Sequence, residues 1–189
     1  MGLFDFFKKK SSGEEKPIED GDKTVVQSDN TDDSAPGWEA IDAEFDRLYP
    51  DQPNPRHYGT LIKYMFGGPD PLDGISVYDA GEFWHFVGYG LSELYTKESS
   101  DPEYSGYGIE LTFKLKKSDN DEEEIKNGCG LLQYVARYIF KTGKVVLPEE
   151  YIYTKQTVGI DAHQKSKLTG FLTARDNLAK PLDLSLIHI

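Results

Sequence analysis

The chain has 189 residues, the size of one ordinary domain with room for a tail, and its 21 Lys and Arg against 33 Asp and Glu give a net charge of −12. That charge excludes a phosphate-tracking nucleic-acid binder, which needs a cationic face. The single Cys excludes a disulfide framework or a multi-Cys zinc site. No apolar run reaches the roughly 20 residues of a membrane-crossing helix, and no secretory signal is visible, so the expectation is an acidic protein of the cell interior.

The first ten residues, MGLFDFFKKK, set Leu3, Phe4, Phe6 and Phe7 beside Lys8, Lys9 and Lys10. Aromatic residues next to a lysine cluster suit a membrane surface or a docking groove. The myristoylation pattern fails, because residue 6 is Phe. The stretch up to residue 35 is almost wholly polar and cannot offset the entropy of ordering, so residues 1–35 read as a disordered tether with an aromatic, basic tip.

Trp38, Ile41, Phe45 and Leu48 recur at helical spacing and predict a helix over 36–48, with Ser34 as N-cap and Pro36 in the first turn. Tyr49-Pro50 ends it. A Pro- and Asn-rich turn follows at 51–55, then expected strands at 61–66 and 75–78 around the rigid loop GGPDPLDG at 67–74. The aromatic run FWHFVGYGL at 83–91 reads as a central strand, and 99–107 as a polar loop. Ile109, Leu111, Phe113 and Leu115 alternate as the inner face of another strand.

An acidic loop at 118–124 leads into a second helix with the apolar stripe Ile125, Cys129, Leu132, Ala136 and Ile139, closed by Gly143. Further strands are expected at 145–147, 151–158 and 168–173. This order predicts an α+β fold: a mixed, mainly antiparallel sheet packed with two main helices, not a βαβ series.

Few residues announce chemistry. Cys129 lies in an apolar stripe with acidic surroundings, which suits a buried core thiol and not a nucleophile. His85 sits between Trp84 and Phe86 with no metal-ligand spacing around it and reads as a core histidine with one hydrogen bond. His57 follows a turn and should be exposed. Asp70 and Asp73 are three apart, too few oxygens for a calcium loop, and read as turn-fixing acceptors of backbone N–H groups. Gly67-Gly68 lacks the G-K-[ST] of a phosphate loop. The DNDEEE run at 119–124 reads as a solvated face, or as one that meets a basic partner.

Several longer stretches are more specific. RLYPDQPNP (47–55), KYMFGGPDPLDGISVY (63–78), FWHFVGYGLSELY (83–95), SGYGIELTFKLKK (105–117) and VARYIF (135–140), in this order and spacing, resemble the suppressor of fused family over residues 36–180. The resemblance implies a suppressor-of-fused-like domain without catalytic activity, cofactor or metal. Animal members are cytoplasmic and nuclear regulators of Hedgehog signalling that sequester Gli-type transcription factors. Bacterial short forms are immunity proteins that neutralise toxins.

The resemblance therefore implies a cytoplasmic protein whose partner is another protein, either a toxin domain or a client peptide. The tip would make any membrane contact, at the inner face. In the animal family the partner peptide adds as an extended strand in a cleft. By motif position, Tyr138 of ARYIF and Glu150 in the following loop match residues lining that cleft. The second domain of the animal proteins has no counterpart here, and the strands that finish the first domain are expected beyond this stretch.

The closing residues LSLIHI back-translate to CTG TCT CTT ATA CAC ATC, the transposon-end string of sequencing adapters. This predicts that residues 184–189, His188 included, are adapter read-through and that the domain occupies 36–183, incomplete at its end.

Overall fold

A computed structural model of the chain describes residues 34–182, except 97, 102, 155–166 and 168. The aromatic and basic tip, the polar tether and residues 184–189 lie outside the described residues. The chain divides after Ser34, and all elements below belong to the second unit.

The elements run α1 (Pro36–Leu48), β1 (Arg56–Gly59), a 3₁₀ turn (Tyr64–Phe66), β2 (Gly74–Asp79), β3 (Phe83–Tyr89), β4 (Thr112–Lys116), α2 (Asp121–Thr142), β5 (Tyr151–Tyr153) and β6 (Gly170–Leu172). Strands β1 to β4 form an antiparallel sheet in sequence order, and β5 pairs with β6 separately. The fold is α+β, as the pattern of elements predicts.

The four-stranded sheet carries a helix on each face. Ile75 and Val77 of β2 and Trp84 and Phe86 of β3 pack with Ile125, Leu132, Val135 and Ile139 of α2. The alternate residues Tyr78, Val87 and Tyr89 pack with Ile41 and Phe45 of α1. With both faces covered, β2 and β3 are buried almost throughout, which is why FWHFVGYGL reads as an unbroken apolar run and not as an alternation. The expected stripe Ile109, Leu111, Phe113 and Leu115 does face the α2 side as one row, although the ladder starts only at Thr112.

Both helices begin and end near their expected residues. Gly143, at φ 68°, closes α2 with its N–H on the Ile139 carbonyl at 2.7 Å. At the start of α1 the expected Ser34 cap is not used. The helix boundary is Ala35, with no side-chain cap, and the Gly37 N–H donates instead to the Leu94 carbonyl at 3.1 Å. A backbone acceptor from another segment thus satisfies a helix-start donor.

Two expected strands do not form, and two later ones are shorter among the described residues. The stretch 61–66 forms none: Leu61 is fully exposed, Met65 and Phe66 are mostly so, and Tyr64–Phe66 turns into Gly67 at φ 86°. Its apolar residues do not alternate, and Gly68 donates back to the Lys63 carbonyl at 3.1 Å, which commits the run to a turn. The edge strand is instead the polar Arg56–Gly59, paired to β2 alone. Residues 145–147 also stay out of the sheets, although Val146 is buried against the α2 cluster. Of the two later strands, only Tyr151–Tyr153 and Gly170–Leu172 lie in ladders among the described residues.

Candidate functional site

Tyr138 and Glu150 line one depression of about 570 Å³, together with Lys144, Val145, Val146 and Tyr151. Tyr138 lies near the end of α2 and is 45% exposed. Glu150 is placed by a tight turn: Glu149 has φ 69°, the one non-glycine residue with positive φ among those described. That conformation costs on the order of 1–3 kcal/mol and persists only where the surroundings hold it.

Thr173 is what holds it here. Its carbonyl accepts the Glu149 N–H at 2.8 Å, its N–H donates to the Glu150 carbonyl at 2.9 Å, and its hydroxyl accepts the Glu150 N–H at 3.0 Å. The Leu147 N–H donates to Glu150 Oε2 at 3.0 Å, and Oε1 meets no donor among the described residues. The site thus presents a phenol, a carboxylate oxygen and an ammonium group around a small hollow.

β5 runs past this hollow. Thr154 N–H donates to the Thr169 carbonyl at 3.1 Å. With Tyr151 opposite Leu172, that parity turns the peptide groups of Ile152 toward β6 and those of Tyr151 and Tyr153 away from it. Both tyrosine side chains are exposed as well. Sequence reasoning missed Lys144, Tyr151 and Tyr153. The Y-I-Y alternation was the signal, with tyrosine at both outward positions.

The other candidate residues are occupied elsewhere. His85 is wholly buried. Its Nε2 lies 2.9 Å from Asp176 Oδ2 and its Nδ1 lies 2.8 Å from the Tyr49 hydroxyl. An ionised carboxylate only accepts, so Nε2 carries the proton and Nδ1 accepts from Tyr49. The expected single hydrogen bond is two, and neither ring nitrogen is free for a ligand.

Burial opposes ionisation of Asp176, but bonds from Lys114, the Leu178 N–H, Thr112 and the Ala179 N–H outweigh it and hold its pKa well below the usual range. Burial pushes the His85 pKa down despite Asp176, while burial, with the Asp176 charge adding to it, pushes the Tyr49 phenol up to about 12. Tyr49 is therefore no nucleophile, and the cluster acts as a fastening between α1, the sheet and the segment around Asp176.

Cys129 is half-buried, and burial pushes its thiol up to about 12, the opposite of activation. His57 stays exposed on β1, with Nδ1 3.0 Å from the Ser76 hydroxyl. Asp70 and Asp73 do not act as turn acceptors: Asp70 pairs with Arg137, and Asp73 takes a bond from Tyr95 at 2.9 Å with Lys63 at 3.6 Å. The physical reason is that each has a cation or phenol in reach across the fold, a stronger partner than a loop N–H. Asp121, Glu122, Glu123 and Glu124 form the first turn of α2, where negative charge complements the helix dipole.

These features have relatives. The family model described as Suppressor of fused protein (SUFU) matches residues 68–187. The suppressor of fused homologues of human and mouse are each 40% identical over 119 residues, which covers 56% of this chain and 25% of theirs, so the chain spans about a quarter of the curated relatives it matches. Among solved structures, the Sufu-Fu complex matches at TM-score 0.67 and 33% identity, covering 77% of this chain and 69% of that one. The structure of Drosophila Suppressor of Fused matches at TM-score 0.67 and 34% identity, covering 76% and 38%. With a family match over more than half its length, the chain belongs to the suppressor of fused family.

Proposed function

We propose that this chain is a non-enzymatic protein-binding regulator that takes an extended segment of its partner along the outer edge of β5, beside Tyr138 and Glu150. The observation that carries this reading is the outward turn of the Tyr151 and Tyr153 peptide groups next to a hollow lined by Tyr138, Lys144 and Glu150. Main-chain bonds at such an edge supply affinity, and flanking pockets select side chains. Exposed tyrosines are frequent binding hot spots. The solved Sufu-Fu complex supports a protein partner.

In its sharper form the proposal is an immunity protein of the bacterial short type, cytoplasmic, that neutralises a toxin domain by direct binding. The net charge of −12 supports it, since an acidic surface speeds capture of a cationic enzyme and masks its substrate site. The second reading, a regulator that sequesters a non-toxin client, is favoured by the likeness to the human and mouse homologues. The tip residues Leu3, Phe4, Phe6, Phe7, Lys8, Lys9 and Lys10 are proposed as a peripheral membrane contact.

Expression of the neighbouring gene's product, alone and together with this protein, separates the two. Toxicity that this protein relieves supports the immunity reading, and a harmless neighbour favours the client reading. In either case Tyr138→Ala with Glu150→Lys should weaken binding about 100-fold or more, the scale of two hot-spot losses, with the fold retained. Undiminished binding by the double variant sinks the assignment of the site.

A further inference from the structure

The turn that follows β1 leaves large apolar side chains without cover. Leu61 is 102% exposed, Ile62 55%, Tyr64 43%, Met65 70% and Phe66 73%, five of six consecutive residues. Single apolar residues at a surface are ordinary. A contiguous set spanning on the order of several hundred Å² is not, and marks a place where another molecule sits. Tyr95, 37% exposed, extends the set, because Lys63 of the turn lies over its ring at 4.2 Å.

The turn is held in one shape from below. Phe66 N–H donates to the Lys63 carbonyl at 2.9 Å, Gly67 N–H to the Tyr64 carbonyl at 2.9 Å, and Thr60 N–H to the Asp73 carbonyl at 3.1 Å. A Cβ at Gly68 would lie 2.0 Å from the Ile62 carbonyl oxygen, so only glycine lets the chain close here. The Tyr64 ring stands edge-on to Phe140 of α2 at 4.9 Å, and the Gln133 side chain of α2 bonds both backbone groups of Leu72, at 3.1 Å and 2.9 Å. With its base fastened to α2, the turn presents Leu61, Met65 and Phe66 with little ordering left to lose on contact.

Charge decides what the turn can meet. The charged groups that flank it are matched: Lys63 lies 3.6 Å from Asp73, and Arg137 pairs with Asp70. Residues 60–68 include no acidic side chain. In a chain of net charge −12 two copies repel each other over most of their surface, and a matched, apolar face is where they approach at least cost. Apolar patches depleted in charge and rich in Tyr, Phe and Met are also the composition of interfaces between identical subunits. A basic partner would instead be drawn to the acidic remainder of the surface.

We propose that the turn at residues 61–66 is a self-association surface, on which two copies of this chain meet about a two-fold axis, turn against turn. Such a contact is isologous and closes at two copies. A standard interface takes about 800 Å² from each partner, which the turn approaches only with Tyr95 and its surroundings, so the dimer is reversible and not obligate. None of these residues lines the hollow at Tyr138 and Glu150, and the proposal is independent of the reading of β5.

Sedimentation equilibrium of the full chain tests this. At about 50 µM, within the range that interfaces of this size reach, the wild type should sediment as a dimer. Leu61→Ser with Phe66→Ser should raise the dimer dissociation constant about 100-fold or more, the scale of two lost hot spots. Both side chains stand in solvent, so the substitutions leave the monomer folded. Higher salt should tighten the dimer, since it screens repulsion between the acidic bodies. Tyr153→Ser with Leu172→Ser, on the exposed face of β5 and β6, should leave it unchanged, as should deletion of residues 1–10. A monomer at every concentration overturns the proposal, and co-sedimentation of that monomer with pure phosphatidylcholine vesicles through Leu61 and Phe66 would assign the turn to a lipid surface instead. A dimer that survives the Leu61 and Phe66 substitutions, falls apart in salt, or depends on Tyr153 and Leu172 or on residues 1–10 equally overturns it.

Discussion

At the scale of single residues, Glu110 and His85 have shifted pKa values with opposite effects on stability. Burial raises the Glu110 pKa to about 7, against its four hydrogen bonds. The folded state therefore holds a proton there that the unfolded chain has already released. Stability that this carboxyl contributes is present below the unfolded value, near 4.5, and is lost as pH rises through about 7. His85 works the other way. Its folded pKa is pushed below 6.5 by burial, so its contribution is full above 6.5 and is lost as pH falls. The wild type thus shows a flattened profile. Glu110→Gln should unmask the histidine slope, and the difference between wild type and variant should change by about 3 kcal/mol between pH 4 and pH 8. Urea melts across that range check it, and a constant difference would refute the assignment. Asp176 is the second residue on which much depends: as the partner of His85, Thr112, Lys114 and two backbone N–H groups, its removal leaves the buried His85 ring N–H and several partly exposed donors unmet. Asp176→Ala should lower stability by about 3–5 kcal/mol, seen as a shift of the urea midpoint with an unchanged slope.

At the scale of elements, packing overrides propensity. Gly128 lies in the middle of α2, where alanine ordinarily stabilises a helix by about 1 kcal/mol. Here an added Cβ would lie 2.9 Å from Cζ of Phe86, a fully buried ring. Gly128→Ala should therefore destabilise by about 1–3 kcal/mol, and Phe86→Leu in the same chain should recover part of the loss. Calorimetry on the four proteins of that cycle measures the coupling; additive effects would show that helix and ring do not touch. The same contrast explains what could be read from the residues in advance. α1 was legible because its apolar spacing and Pro36 are local, and the end of α2 because Gly143 meets a local need for positive φ. The run Leu61–Phe66 misled because it is apolar without period, and β1 was silent because an edge strand of Arg, His, Tyr and Gly carries no alternation. Tyr138 and Glu150 were placed by motif order, and they share one hollow. The partner of His85 was invisible: Asp176 is 91 positions away, and no local pattern encodes that distance.

At the scale of the whole molecule, charge is unevenly distributed along a strongly acidic chain. The net charge of −12 sets a repulsion toward anionic bilayers, while Lys8, Lys9 and Lys10 stand together behind Leu3, Phe4, Phe6 and Phe7. Each lysine near an anionic surface contributes about 1 kcal/mol, so three give a preference for anionic over neutral vesicles of about 100-fold, with the aromatic residues adding buried area in both. One short segment holds a protein only marginally on a membrane, so the contact should be reversible and sensitive to salt, because screening at 0.1 M acts over about 10 Å. Co-sedimentation with phosphatidylserine-containing and pure phosphatidylcholine vesicles, at low and high salt, reads this directly. Deletion of residues 1–10 should release the protein from the anionic vesicles into the supernatant and leave the melting temperature of the folded unit unchanged. Equal sedimentation with and without those residues would assign the aromatic tip no part in membrane contact.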